Sequence, residues 1–251
     1  PRFPEVDAEQ TVSLPSETFA HVVHQVSRSV SRDETRPILT GILVVVESGI
    51  LRMVATDSYR LCVREVELPG GSNEIELVVP GKAMEDVAKL IGSSEQVSLG
   101  VSENQVIFTF GDTTFVSRRI EGAFPNYRQL LPKEHTTRAV VDRTEFLEAV
   151  KRVSLMAQHN TPLRVKIAAE DHTMTLSAAT QDIGDASEDL QVTPEGQSVE
   201  IAFNHAYLLD GISVAEDDTI ALEVTSPLKP GVLRPTEGDG FTYLLMPVRL
   251  G

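Results

Sequence analysis

The sequence predicts an α+β protein of two similar domains in tandem, each with two helices packed on antiparallel sheets. Two observations support this fold class: a helical pattern of apolar residues recurs about half a chain later, and each copy precedes the same order of strands and a second helix. We expect one domain at residues 1–136, with a short acidic N-terminal lead-in, and a second at residues 137–251. The polar, proline-containing run Pro132–Thr137 should join them.

The first helix of each copy is predicted from apolar residues at helical spacing. Three apolar positions recur 127 residues further along the chain, with Phe19, Val23 and Val26 matched by Phe146, Val150 and Val153. Start signals support both helices, since Pro15 and Glu17 fall in the first turn of one, and Asp142 with Glu145 resembles a capping box in the other.

The later elements recur in the same order. The strand-like run Leu51–Asp57 is matched by Met174–Asp182, and both pass through Ala-Thr. A strand followed at once by a helix at Ile75–Ile91 is matched at Val199–Ile212, where Asn204 suits a helix cap. Strands with period-two alternation then close each copy. They are predicted at Val97–Leu99, Gln105–Phe110 and Thr114–Ile120, and at Ile220–Val224, Gly231–Arg234 and Thr242–Leu245.

The composition is that of a globular protein, with 41% hydrophobic and 24% charged residues. No apolar run approaches the roughly 18 residues of a membrane helix, and no signal-peptide pattern opens the chain. We therefore expect a cytoplasmic protein that is not associated with a membrane. Its single cysteine, Cys62, cannot form an internal disulfide and is expected to be a buried thiol in a strand. The net charge of -15 disfavours a protein that coats DNA by bulk attraction.

Three short strings carry a family resemblance. Thr56–Leu61 (TDSYRL) directly follows a predicted strand, Phe124–Pro132 (FPNYRQLLP) closes the first copy, and Met246–Leu250 (MPVRL) stands near the C-terminus. Together they resemble the beta subunit of bacterial DNA polymerase III, the beta sliding clamp family. The resemblance covers essentially the whole chain, as the second and third of the family's three domains.

The resemblance implies a non-enzymatic processivity factor of DNA replication, and we expect no cofactor and no metal. In such clamps two three-domain chains join head to tail in a ring that encircles duplex DNA, with helices lining the hole. Partner proteins insert short peptides into a pocket between the second and third domains. The expected partners are clamp-binding peptides of DNA polymerases, of the clamp loader and of repair proteins. Full-length members are homodimers, whereas a fragment without the first domain is expected to be a monomer.

The pocket residues implied by the resemblance are mostly apolar, which would supply affinity, with a few polar groups to fix the orientation of the peptide. Met246 has a flexible thioether stem that suits many ligands, and Pro247 ends the last strand. Ser58 and Tyr59 stand where the family varies and would tune ligand preference. The implied set is Leu39, Thr56, Ser58, Tyr59, Arg60, Leu61, Pro125, Gln129, Leu130, Leu244, Met246, Pro247, Val248 and Arg249.

Weak contact with duplex DNA is also implied, through polar helix faces turned toward the hole. The residues expected there are His21, His24, Gln25, Arg28, Arg36, Lys151 and Arg152. For Arg36, a loop residue before a proline, an ordinary solvated arginine is an equal alternative. A metal site at His21 and His24 is disfavoured, because zinc sites gather three or four ligands and no cluster completes this pair.

Two other functions stay open. A hydrolase or transferase on a duplicated α+β scaffold would need Asp57, Arg60 and a histidine to converge in a closed cleft. The sequence contains no phosphate-binding loop, nucleophile elbow or metal-binding helix motif that would support it. A clamp paralogue that sequesters an inhibitor or a partner has no distinguishing sequence feature.

Overall fold

A computed structural model of the chain describes residues 10–68, 73–157, 161–238 and 240–249. The predicted N-terminal lead-in thus falls largely outside the described residues. The described residues form two compact units. Those of Pro1–Ser58 and Cys62–Pro125 make up the first unit, and those of Tyr59–Leu61 and Asn126–Gly251 make up the second.

The first unit runs strand, helix, four strands, helix, three strands. Its strands are β1 (Gln10–Pro15), β2 (Gly41–Glu47), β3 (Ile50–Thr56), β4 (Arg60–Glu67), β5 (Ile75–Pro80), β6 (Gln96–Val101), β7 (Gln105–Phe110) and β8 (Thr113–Arg118). Strand β4 belongs to this unit from Cys62 onward. Its helices are α1 (Ser16–Ser27) and α2 (Gly81–Leu90), and a 3-10 turn spans Pro37–Thr40. One sheet has the order β1-β6-β7-β8, and β5, β2, β3 and β4 are successive neighbours in the other.

The core of the first unit lies between its helices and its sheets. Phe19 and Val23 are buried on the face of α1 that packs against the sheet strands, and α1 also contacts α2. The Phe19 ring meets Phe108 of β7 edge to face, with ring centroids 5.8 Å apart. Each such aromatic side chain contributes about 1.5–3 kcal/mol through burial. The apolar residues that were predicted from their helical spacing therefore form the face that holds α1 in place.

The second unit repeats this plan. Its strands are β9 (Thr137–Asp142), β10 (Leu163–Ala168), β11 (Thr173–Thr180), β12 (Gly184–Gln191), β13 (Thr193–Gly196), β14 (Val199–Phe203), β15 (Thr219–Val224), β16 (Gly231–Pro235) and β17 (Phe241–Leu245). Its helices are α3 (Arg143–Ser154) and α4 (His205–Val214), preceded by a 3-10 turn at Tyr127–Gln129. One sheet has the order β12-β11-β10-β14, and β13, β9, β15, β16 and β17 are successive neighbours in the other.

The strand orders of the two units correspond element by element. When β1 is matched with β9, the order β1-β6-β7-β8 becomes β9-β15-β16-β17, with β13 as an addition at the edge. The order β4-β3-β2-β5 becomes β12-β11-β10-β14 in the same way. The fold class predicted from the repeat, two tandem α+β domains with helices on antiparallel sheets, is therefore confirmed.

The structure contains the two helix caps and the buried thiol that the sequence predicts. The carboxylate of Asp142 accepts a hydrogen bond of 2.8 Å from the Glu145 amide, and Asn204 caps α4 by accepting from two amides of its first turn. Cys62 is a buried free thiol in β4. No helix within the described ranges has both the length and the apolarity needed to cross a membrane.

The start of each unit differs from the expectation. Each begins with a strand rather than with a helix, and Pro15 ends β1 instead of lying in the first turn of α1. In β1 only Val12 and Leu14 show the alternation of a half-buried strand. Pairing with β6, more than eighty residues away in sequence, decides the conformation of this segment. Long-range pairing of this kind leaves little trace in a short window of sequence.

Candidate functional site

The turn after β3 belongs to the first unit and is held by two hydrogen bonds. Ser58 adopts a left-handed backbone conformation with φ of 80°, which is uncommon for a residue with a side chain. Its amide donates to the Thr56 hydroxyl at 3.2 Å, and its own hydroxyl accepts from Nη1 of Arg36 at 2.9 Å. These contacts compensate for the strained backbone and fix the shape of the turn.

Arg36 is anchored on its other side by Asp33. Its Nε donates to the Asp33 carboxylate at 3.0 Å. The hydroxyl and the amide of Thr35 also donate to this carboxylate, and these hydrogen bonds, with the smaller contribution of Arg36, hold the pKa of Asp33 below its ordinary value. A chain of polar contacts therefore joins Asp33 to Ser58 through Arg36.

The C-terminal tail lies beside Tyr59 in the second unit. The Met246 amide donates a hydrogen bond of 2.9 Å to the Tyr59 carbonyl, and the Val248 amide donates one of 2.8 Å to the Ala202 carbonyl. Pro247, between these two donors, has no amide hydrogen to satisfy. The tail is thus fastened at alternate residues, as an extended chain is in a β-ladder. Leu250, which ends the MPVRL string, lies outside the described residues.

Aromatic and charged side chains surround this tail contact. The Tyr59 ring stacks on Tyr207 of α4, with centroids 6.3 Å apart and planes inclined by 24°. The Arg60 guanidinium lies 4.4 Å from the centroid of the same Tyr207 ring and forms an ion pair with Asp210, also on α4. Tyr243 donates its hydroxyl hydrogen to the Tyr207 carbonyl at 2.9 Å. Within the second unit, helix α4, strand β17, the Tyr59–Leu61 segment and the C-terminal tail are therefore close to one another.

Comparison with protein families identifies both halves of the chain. A model of the DNA polymerase III beta subunit central domain matches residues 13–126, and a model of the C-terminal domain of the same subunit matches residues 128–249. The beta sliding clamp of Staphylococcus aureus is 32% identical over 251 residues, which cover 99% of this chain and 67% of that protein. The chain belongs to the beta sliding clamp family.

Solved clamp structures have the same fold. The DNA polymerase sliding clamp of Bacillus subtilis superposes with a TM-score of 0.95 at 28% identity, over 100% of this chain and 67% of that one. The beta subunit from the DNA polymerase of Streptococcus pyogenes gives a TM-score of 0.94 at 27% identity, over 100% and 68% of the two chains. These superpositions show that the chain has the fold of the solved sliding clamps.

The residues expected to bind peptides in this clamp differ in exposure. In the second unit, Tyr59 is 59% exposed, Met246 is 40% exposed and Leu130 is exposed as well. The other exposed or half-exposed members are Gln129, Pro247, Val248 and Arg249 there, and Ser58 and Pro125 in the first unit. The Arg60 side chain is only 11% exposed. Leu39, Thr56, Leu61 and Leu244 are buried. These four side chains pack inside their own units and expose almost no surface to a ligand.

Residues that the sequence reasoning missed lie on α4 and β17. Tyr207, Asp210 and Tyr243 make the contacts that hold Arg60 and Tyr59, and none of them was predicted as a site residue. One signal was available, because the internal repeat aligns Tyr207 with Ala83 of the clamp's first unit. A large aromatic residue in place of alanine on a matched helix indicates a role that the other copy lacks.

The residues expected to face DNA have mixed environments, and one expectation needs correction. Gln25 is only 2% exposed, because it falls on the buried face of α1 between Val22 and Val26, and it is therefore not available to a duplex. His24 and Arg28 are exposed on α1, and His21 is half-buried.

Three of the basic residues expected to face DNA, Arg36, Lys151 and Arg152, have carboxylate partners. Lys151 donates to Glu148 at 2.7 Å, and Arg152 makes two hydrogen bonds to Glu188. The pKa values of both carboxylates lie below their ordinary values, chiefly through these hydrogen bonds. Arg36 is held by Asp33 and Ser58, as described above. Exposed pairs of this kind contribute little to stability and are screened by salt. Within the described part of the chain, no group of three His, Cys, Asp or Glu side chains is arranged to hold a metal ion.

Proposed function

We propose that this clamp acts as a processivity factor in bacterial DNA replication and that a surface of its second unit captures short linear peptides. We name this surface the tail surface and define it as Tyr59 with Met246, Pro247 and Val248. The expected ligands are the clamp-binding peptides of DNA polymerases, of the clamp loader and of repair proteins. The hydrogen bond from the Met246 amide to the Tyr59 carbonyl carries the proposal, because it joins the backbones of two residues whose large side chains are exposed.

The chemistry of the tail surface suits a hydrophobic peptide end. Exposed aromatic and thioether groups lose water favourably when they are covered, and burying one Leu or Phe side chain contributes about 1.5–3 kcal/mol. Met246 can adapt its unbranched side chain to different ligands, which suits a protein that serves several partners in turn. The hydrogen bonds of Met246 and Val248 fasten the tail backbone, so less conformational entropy is lost on binding.

Contact with DNA is proposed to be weak and local. The net charge of -15 opposes tight binding to phosphates, which a ring that slides on duplex DNA must avoid. His24 and Arg28 on α1, together with Lys151 on α3, are the exposed groups that we expect to approach the duplex. We propose that the protein acts as a processivity factor in the cytoplasm, where the bacterial chromosome is replicated.

A binding experiment tests the peptide proposal. A fluorescent peptide with a glutamine and a Leu-Phe hydrophobic end is titrated with the full chain, and its anisotropy is followed. We expect a Kd near or below about 1 µM, and the change Met246→Ala should weaken binding about tenfold through lost apolar contact. Leu228→Ala is the matched control, because Leu228 is an exposed apolar residue of the same unit outside the tail surface.

The control variant should bind as the wild-type protein does. Equal affinities for the wild-type chain and the Met246→Ala variant would show that the peptide binds elsewhere. An equal loss in both variants would indicate nonspecific hydrophobic adsorption. Either result would rule out the tail surface as the peptide site.

A further inference from the structure

Arg60 is held on two sides by residues of a single helix face. Its Nη1 donates to the Asp210 carboxylate at 2.5 Å, and its guanidinium lies 4.4 Å from the centroid of the Tyr207 ring. Tyr207 and Asp210 are three residues apart on α4, which places them on the same face of the helix. The Arg60 side chain is only 11% exposed, so its charge is largely removed from water and depends on these partners.

The position of Arg60 affects two of the aromatic rings of the site, Tyr59 and Tyr207. Tyr207 receives the guanidinium and also stacks on Tyr59, so one ring is shared by two neighbouring residues of the Tyr59–Leu61 segment. The Tyr59 carbonyl in turn accepts the hydrogen bond of the tail. A displacement of Arg60 would therefore be transmitted to the Tyr59 ring, which is the aromatic group of the tail surface.

The matched residue of the first unit shows that this arrangement is not a general feature of the repeat. Asp86 on α2 is the repeat counterpart of Asp210, but it pairs with Lys82 one turn earlier on its own helix. Its partner is 74% exposed. One copy of the helix therefore uses its aspartate in an ordinary solvated i,i+4 pair, whereas the other uses it to hold an arginine distant in sequence.

We infer that Asp210 is a positioning residue for peptide binding. Its carboxylate holds Arg60 against Tyr207, and this fixes the Tyr59–Tyr207 pair so that the tail surface presents one preformed aromatic face to a ligand. The inference rests on the proposed peptide-binding function. Preorganisation of this kind raises affinity because the rings need not be ordered when the peptide binds.

The test uses the full chain with the change Asp210→Asn, the conservative variant Asp210→Glu and the matched control Asp86→Asn. Peptide affinity is measured by anisotropy, and the order of the rings by near-ultraviolet circular dichroism. The protein has four tyrosines and no tryptophan, and three of the tyrosines are Tyr59, Tyr207 and Tyr243, so this spectrum reports the site. We expect Asp210→Asn to weaken binding about tenfold and to reduce the tyrosine signal. Asp210→Glu should recover most of both, and Asp86→Asn should change neither.

A double-mutant cycle separates positioning from a general structural role. If Asp210 acts through the aromatic pair, Asp210→Asn should cost little further affinity when Tyr59→Ala has already removed one ring. Additive losses in this cycle, or an Asp210→Asn variant with wild-type affinity, would overturn the inference. A wild-type chain that binds no peptide would overturn the proposed function instead, and the circular dichroism comparison of Asp210→Asn with Asp86→Asn would then decide the positioning role by itself.

Discussion

The Tyr243 hydroxyl donates a hydrogen bond of 2.9 Å to the backbone carbonyl of Tyr207, which joins β17 to α4 beside the tail surface. The close approach depends on Gly211, one turn after Tyr207. A Cβ atom at Gly211 would lie 2.5 Å from two carbons of the Tyr243 ring. The ring is fully buried and cannot move aside easily. The absence of a side chain at this position therefore sets the distance between helix and strand.

The change Gly211→Ala should destabilise the protein even though alanine is the better helix former. The gain in helix propensity is about 1 kcal/mol, whereas forcing extra volume into a packed core costs about 1–3 kcal/mol and would displace α4. Urea denaturation would measure the change in the free energy of unfolding. Ser213→Ala, at an exposed position of the same helix, should stay within about 0.5 kcal/mol of the wild-type value. A Gly211→Ala protein as stable as the wild type would mean that the Tyr243 ring has room to shift.

The tail should loosen when the Val248 amide is removed. Val248→Pro deletes the donor to the Ala202 carbonyl, and the loss of one such hydrogen bond costs about 1 kcal/mol. Hydrogen exchange at the Met246 amide, measured by NMR, should become faster, and peptide affinity should fall. Val248→Ala keeps the amide and should leave the exchange rate of Met246 close to that of the wild type. Equal exchange rates in the wild type and the Val248→Pro variant would contradict a shared anchoring of the two amides.

The left-handed conformation of Ser58 predicts an ordering of substitutions. Glycine adopts φ of 80° freely, so Ser58→Gly should be nearly neutral, because relief of backbone strain offsets the lost hydrogen bond from Arg36. A β-branched residue fits this conformation poorly, and Ser58→Val should cost about 1–3 kcal/mol. Urea denaturation of both variants gives the comparison. If valine proved as stable as glycine, the turn would have to adopt a different backbone conformation.

The Arg152–Glu188 pair predicts a dependence of stability on pH. The hydrogen bonds from Arg152 lower the pKa of Glu188 in the folded protein below its ordinary value of 4.5. Above pH 4.5 both states carry the ionised carboxylate and the pair contributes its full stabilisation, which is lost as the pH falls through the lower folded pKa. The change Glu188→Gln should therefore lower the Tm slightly at neutral pH and have no effect in stronger acid. Thermal melts of the wild type and the Glu188→Gln variant over a pH series would show this convergence, and a constant difference in Tm at every pH would contradict it.

Much of the fold could be predicted because local sequence signals agree with it. Phe19 and Phe146 stand at matched positions of two helices, and each is completely buried in its own unit. The caps Asp142 and Asn204 act through neighbouring backbone amides, so their effect is visible within a few residues of sequence. The strand β1 was missed because its pairing partner is distant in sequence.

The candidate site was predicted less completely than the fold. The resemblance to the clamp family predicted Tyr59, Arg60 and Met246 as peptide-binding residues, but it did not predict Tyr207 or Asp210. On α4 these two residues have the spacing of ordinary surface positions, and only the approach of Arg60 makes them partners. Gln25 shows the opposite case, since a polar side chain expected on an exposed helix face is buried.

The sequence by itself determined that the protein is a duplicated α+β chain of the sliding clamp type, because apolar periodicity, caps and short motifs are local properties that survive without coordinates. Tertiary structure alone decided which polar and aromatic groups meet at the tail surface. An ion pair such as Arg60 with Asp210 joins residues 150 positions apart. The energy of that contact depends on distance and burial in three dimensions, which no spacing along the chain encodes.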